Sequence, residues 1–126
     1  MKLDAVGVTS SNLYKTIDFY QLLGFQFPDV KDSDLHIEPI TPDGSARLMI
    51  DATSIVRDII GENPKPGNHS SFAIQYESPE QINTLVEKIK HAWYTVEKEP
   101  WDAFWGQRYA IVKDPDGYKI DLYARL

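Results

Sequence analysis

Residues 105–124 read WGQRYAIVKDPDGYKIDLYA, two β-prone runs joined by the tetrapeptide Asp114-Pro115-Asp116-Gly117. Proline sets the backbone dihedral that opens such a turn, and glycine accepts the positive φ that closes it. The spacing predicts strands over Tyr109 to Lys113 and Tyr118 to Tyr123. In the second run Ile120 and Leu122 alternate with Asp121 and Tyr123. A strand points successive side chains to opposite faces, so Asp121 and Tyr123 share a face turned away from the apolar pair. The same Pro-Asp-Gly signal occurs earlier, at Thr41-Pro42-Asp43-Gly44. It separates the expected strands Leu35 to Ile40 and Ala46 to Ile50.

Working outward, each turn belongs to a longer repeat. Ahead of the second turn, Ser71 to Tyr76 reads as a strand, and Ser78-Pro79-Glu80-Gln81 as a helix start. There Ser is the cap, Pro stands in the first turn and Gln lies three residues on. Ile82, Leu85, Val86 and Ile89 then form an amphipathic stripe, followed by an expected strand at Tyr94 to Glu97. Ahead of the first turn, Leu3 to Val8 reads as a strand. Ser10, Ser11 and Asn12 supply helix-start side chains, and Leu13, Ile17, Tyr20 and Leu23 share a helical face that ends at Gly24. A further short strand is expected at Phe25 to Phe27. Between the halves, Ile55, Val56, Ile59 and Ile60 have helical spacing before Glu62-Asn63-Pro64-Lys65-Pro66-Gly67 breaks it. The reading is an α+β fold of two βαβββ units in one domain over residues 1–126. Module one covers about 1–52, a linker with a short helix about 53–68, and module two about 69–126. Half-chains of this size cannot cover a four-stranded sheet alone, so the two should pack together.

Composition narrows the function classes. The 126 residues carry 13 Lys and Arg against 19 Asp and Glu, a formal charge of −6. Binding to a phosphate backbone requires basic patches, so nucleic acid is not an expected partner. No apolar run approaches the roughly 18 residues of a membrane span. The opening MKLDAVGVTSSN carries Asp4 and lacks the apolar stretch of a signal peptide, so a cytoplasmic location is the expectation. Zero cysteines exclude a disulfide scaffold, a thiolate metal site and a cysteine nucleophile. No Gly-rich phosphate loop, GxSxG elbow or HExxH helix is present.

The two ends resemble a known superfamily. VGVTSSNLYKTIDFYQLLGF (6–25) looks like the first strand, helix and following strand of the glyoxalase / bleomycin resistance / dioxygenase proteins, also called vicinal oxygen chelate proteins. WGQRYAIVKDPDGYKIDLYA (105–124) looks like their final hairpin. The resemblance implies paired βαβββ modules with curved sheets around a cleft, usually in a homodimer. In many members four inward-facing positions hold a divalent metal. The resemblance places those positions at about Ala5, at Leu48 and Ser71, and at Asp121, the last four residues past Gly117. Only Asp121 is a metal-binding side chain there, and a divalent site needs three or four N or O donors. No cofactor is therefore expected, with a divalent metal at a displaced site as the alternative.

The aromatic residues are unevenly spread. Trp93, Tyr94, Trp101, Phe104, Trp105 and Tyr109 all fall within residues 93–109, and the stretch Glu99 to Gly106 shows neither helical nor strand period. The candidate ligand-binding set is Trp101, Phe104, Trp105, Tyr109, Asp121 and Tyr123, with no catalytic residue assigned. The rings would stack on a flat ligand, and Asp121 would attract a cation or act as a base. Against this stand core or dimer packing for the rings, and an ion pair with Arg47 or Arg108 for Asp121. Trp93, at the helix exit, is assigned to the core. Arg108 is assigned an anchoring role, and His36 with Glu38 a solvated strand face. His91 is read as a charge that favours the helix C-terminus. Two functions follow. One is metal-independent sequestration of a small aromatic or cationic compound, as in antibiotic resistance. The alternative is a metal-dependent lyase, isomerase or dioxygenase.

Overall fold

A computed structural model describes all residues, 1–126. The elements run β1 (Ala5–Ser10), α1 (Leu13–Leu22), β2 (His36–Ile37), β3 (Arg47–Ala52), α2 (Thr53–Ile60), β4 (Ser70–Gln75), α3 (Pro79–His91), β5 (Thr95–Ala103), β6 (Gln107–Lys113) and β7 (Lys119–Arg125). They form a three-stranded sheet in the order β1-β3-β2 and a four-stranded sheet in the order β4-β7-β6-β5. In each sheet the opening strand lies parallel to the last strand of its half, β1 beside β3 and β4 beside β7. The other pairings are antiparallel. The fold is α+β, as the order of elements in the sequence implies.

Local chemistry explains where the helices begin. The Asn12 side chain accepts a hydrogen bond from Lys15 N at 3.2 Å, and Gly24 takes φ 107° just past the end of α1. At α3 the Ser78 hydroxyl accepts from Gln81 N at 3.2 Å, while the Gln81 side chain reaches back to Glu77 N at 3.1 Å. The predicted stripe Ile82, Leu85, Val86 and Ile89 is buried. Helix α2 lies in the expected connection but buries none of its residues, and Gly61 ends it in the left-handed region.

Three expectations about strands and one about the core are corrected. The strand at Phe25 to Phe27 shrinks to a single bridge, Gln26 to Ile40, and Leu35 to Ile40 narrows to His36–Ile37. Pro28 removes a backbone donor there, and Asp34 closes a local turn by accepting from Lys31 N at 2.8 Å. Conversely, β5 runs on to Ala103, through the stretch that shows no period in sequence. Its pairing with β6 shifts register between Val96 and Lys98 and again between Lys98 and Trp101. Each irregularity adds a residue to one strand and breaks the alternation. Trp93 is not core: it is 94% exposed with φ 65°. Tyr94 turns inward in its place, edge-on to Phe19 at 5.1 Å.

The halves share one core of 17 buried residues drawn from both sheets, α1 and α3. Hydrogen bonds also cross between them. Thr9 Oγ1 lies 2.6 Å from the Tyr118 hydroxyl, and the Tyr76 hydroxyl donates to Leu23 O at 2.6 Å. The Tyr20 hydroxyl donates to Asp114 at 2.9 Å. Asp114 is the first residue of the second Pro-Asp-Gly turn, and its other oxygen accepts from the backbone N–H groups of Asp116 at 2.9 Å and Tyr118 at 3.0 Å. The turn is therefore pinned by a carboxyl only 4% exposed. Burial raises that carboxyl from the ordinary 3.8 to about 6, against the three hydrogen bonds that lower it. No helix is long and apolar enough to cross a membrane.

Candidate ligand face of the four-stranded sheet

Strand alternation assembles this face. Ile120, Leu122 and Ala124 of β7 point into the core, which turns Asp121 and Tyr123 the other way. The register sets Tyr109 opposite both Tyr123 on β7 and Trp101 on β5. Three rings thus cross three strands in one row. Tyr109 and Tyr123 stack at 5.9 Å and 17°, and Trp101 tilts against Tyr109 at 5.3 Å. The turn after β5 adds Trp105, edge-on to Tyr109 at 5.5 Å and to Trp101 at 6.2 Å. Its indole N–H donates to Gln107 Oε1 at 2.9 Å, which fixes the ring.

Asp121 stands beside this row. Its carboxylate accepts from the Tyr109 hydroxyl at 2.6 Å and from the Ser70 hydroxyl. Tyr109 is pushed above the usual phenol range, first by burial and then by its bond to Asp121, so it stays a donor. Neither arginine weighed as a partner reaches Asp121. Arg47 pairs with Asp4 and Glu38, both at 2.7 Å, and Arg108 with Asp102 at 3.1 Å. The negative charge of Asp121 thus faces two hydroxyls and no cation. Arg108 also donates to Asn83 of α3 at 3.0 Å, tying β6 to that helix. The Lys98 ammonium lies 4.3 Å above Trp101. Phe104 touches the group only through Trp105, at 5.0 Å, and is 96% exposed. Five of the six sequence-derived residues therefore form one contiguous group, with Phe104 at its rim.

The positions at which the resemblance implies a metal do not fit one. Leu48 is 2% exposed on the core side, paired with Val6. A register shift between Ser70 and Phe72 brings Ser70, rather than Ser71, to Asp121. Ala5 has no donor side chain. Nowhere do three or more His, Cys, Asp or Glu side chains converge in metal-holding geometry. A lone carboxylate with two hydroxyl partners is a poor site for a divalent ion.

Two groupings escape sequence reasoning. One is Ser70, whose side chain the register shift redirects. The other is the ionic chain on β2 and β3: His36 Nδ1 lies 2.7 Å from Asp51, His36 Nε2 lies 2.8 Å from Glu38, and Arg47 joins Glu38 to Asp4. Asp51 first and Glu38 second raise the His36 pKa. His36 and Glu38 are two apart and visible in sequence, but Asp51 joins them only through strand pairing.

Comparison with known proteins matches this architecture. The family model of the Glyoxalase/Bleomycin resistance protein/Dioxygenase superfamily matches residues 2–122. A hypothetical protein from S. aureus superposes with TM-score 0.80 at 20% identity, covering 98% of this chain and 94% of its own. A glyoxalase-related enzyme from Fulvimarina pelagi gives TM-score 0.83 at 15% identity, covering 99% and 88%. A lactoylglutathione lyase from Agrobacterium tumefaciens gives 0.70 at 12%, covering 98% and 92%. Among curated proteins nothing matches. With its matched span, paired sheets and final Asp-Pro-Asp-Gly hairpin, the chain belongs to the glyoxalase/bleomycin resistance protein/dioxygenase superfamily.

Proposed function

We propose that the protein binds and sequesters a small, flat aromatic or cationic compound without a metal, in the manner of a resistance protein, and works as a cytoplasmic homodimer. The observation that carries this reading is the Asp121 carboxylate, free of any basic partner, beside the rings of Trp101, Trp105, Tyr109 and Tyr123. Aromatic faces attract cations, and a nearby carboxylate adds Coulombic attraction in a partly dry setting. The net charge of −6 would draw cations in from a distance, within the roughly 8 to 10 Å that physiological salt permits. Sequestration asks for no general base, nucleophile or Lewis acid.

Titration with an acridinium dye tests this, read by tryptophan fluorescence. Saturable quenching is expected. Trp105→Ala should abolish it, and Asp121→Asn should weaken a cationic dye about tenfold, or about 1.4 kcal/mol, while sparing a neutral isostere. Stoichiometric Mn, Fe, Ni or Zn retained after dialysis, with an activity lost on chelation, would instead establish the metalloenzyme reading.

A further inference from the structure

A large cavity borders the aromatic face, since Ala73 and Gln75 of its lining stand in register with Asp121 and Tyr123 of β7. About 580 Å³ in volume, it opens between the facing edges of the two sheets, where β1 and β4 run side by side without pairing. Its floor consists of residues in phase with the core: Val6, Leu48, Phe72 and Ile74, with Phe25 beyond them. A second hollow of about 230 Å³ shares Phe25, Pro42 and Ile74 with it, which extends the apolar surface towards Ile40. This size falls in the range of small-molecule pockets.

The chemistry of the lining is selective. A quarter of the chain is charged, so about three of the thirteen lining residues would be ionisable at random, and none is. The polar groups present are neutral: the hydroxyls of Thr41, Ser45 and Ser71 and the amide of Gln75. β4 adds a third source of polar contacts, because it ends its sheet and its outer edge has no ladder partner. Burying a charge here would be unfavourable, since no counter-ion lines the walls. An uncharged body with one hydroxyl or carbonyl can be satisfied at the rim.

We propose that this cavity is a second binding site, which takes a neutral amphiphile: a linear or branched hydrocarbon that carries a single hydroxyl or carbonyl group. It adjoins the aromatic face at Gln75, whose Oε1 accepts from the Tyr123 hydroxyl at 3.4 Å, but makes no use of the Asp121 carboxylate.

Nile red fluorescence with the full chain provides the test, with displacement by dodecanol, dodecanoate and dodecylammonium. Dodecanol should displace the dye saturably, and each charged analogue at least tenfold more weakly. Ala46→Phe and the surface substitution Ser45→Trp should each weaken dye binding at least tenfold by filling the mouth. Ala46→Phe should still show acridinium quenching, which separates this site from the aromatic face. Absence of saturable dye binding, equal displacement by all three competitors, or unchanged binding in a folded Ser45→Trp variant would overturn the proposal.

Discussion

Asp114→Asn should change how stability depends on pH, by an amount the structure sets. The Asp114 carboxyl is 4% exposed and rises from 3.8 to about 6, with burial as the largest cause. A rise of about two units corresponds to on the order of 3 kcal/mol between the two protonation states. The folded protein holds this proton more tightly than the unfolded chain. Its contribution to stability is therefore fully present below pH 3.8 and is lost as pH rises through about 6. Asparagine preserves the geometry. Its Oδ1 can accept from the Asp116 and Tyr118 N–H groups, and its amide can donate to the Tyr20 oxygen in place of the bond seen now. Urea denaturation of both proteins from pH 4 to 7.5 isolates the effect, because every other group titrates in both. Relative to the wild type, the variant should gain about 2–3 kcal/mol between pH 4 and 7. A difference flat to within about 0.5 kcal/mol would refute the idea that burying this charge is what sets the pH dependence. Asp114→Ala, which removes all three bonds, should lose stability at both ends of the range.

His36 should titrate above 6.5 by NMR, and Asp51→Asn should lower that midpoint more than Glu38→Gln does, because Asp51 is the larger cause. The stabilisation from this pairing is present below 6.5 and fades as pH climbs through the raised value. Trp93→Gly should stabilise the fold by about 1 kcal/mol in urea, since glycine relieves φ 65° and the exposed indole leaves no cavity behind. Ser78→Ala should cost about 1 kcal/mol in the same assay by uncapping α3.

The parts of the fold written in local chemistry were legible. Caps at Asn12 and Ser78, the stripe on α3 and the two Pro-Asp-Gly turns all depend on residues within a few positions of each other. What escaped was decided at longer range. The register shifts in β5 hide a strand whose sequence shows no alternation, and they place Trp101, from a stretch without period, on the sheet opposite Tyr109. At the end of α3 either Trp93 or Tyr94 could have turned inward. The position of Phe19 on α1 selects Tyr94, and nothing near residue 93 in the sequence encodes that choice.

The face around Asp121 shows how a shared scaffold can present different chemistry. Asp121 and the second-module serine are placed by strand register, while the rings come from β5, β6, β7 and the turn at 104–106. The register survives whether or not its residues can hold a metal. With Ala5 and Leu48 supplying no donors, the remaining carboxylate would lie uncompensated unless something else bonded it. Ser70 and Tyr109 do so with neutral hydroxyls, which bond the carboxylate without bringing an opposite charge. A lysine in either place would have closed the site with an ion pair. On the proposed reading the hydroxyls leave it open to a cation over a wall of rings, so that the lack of donors at Ala5 and Leu48 and the aromatic row belong to a single arrangement.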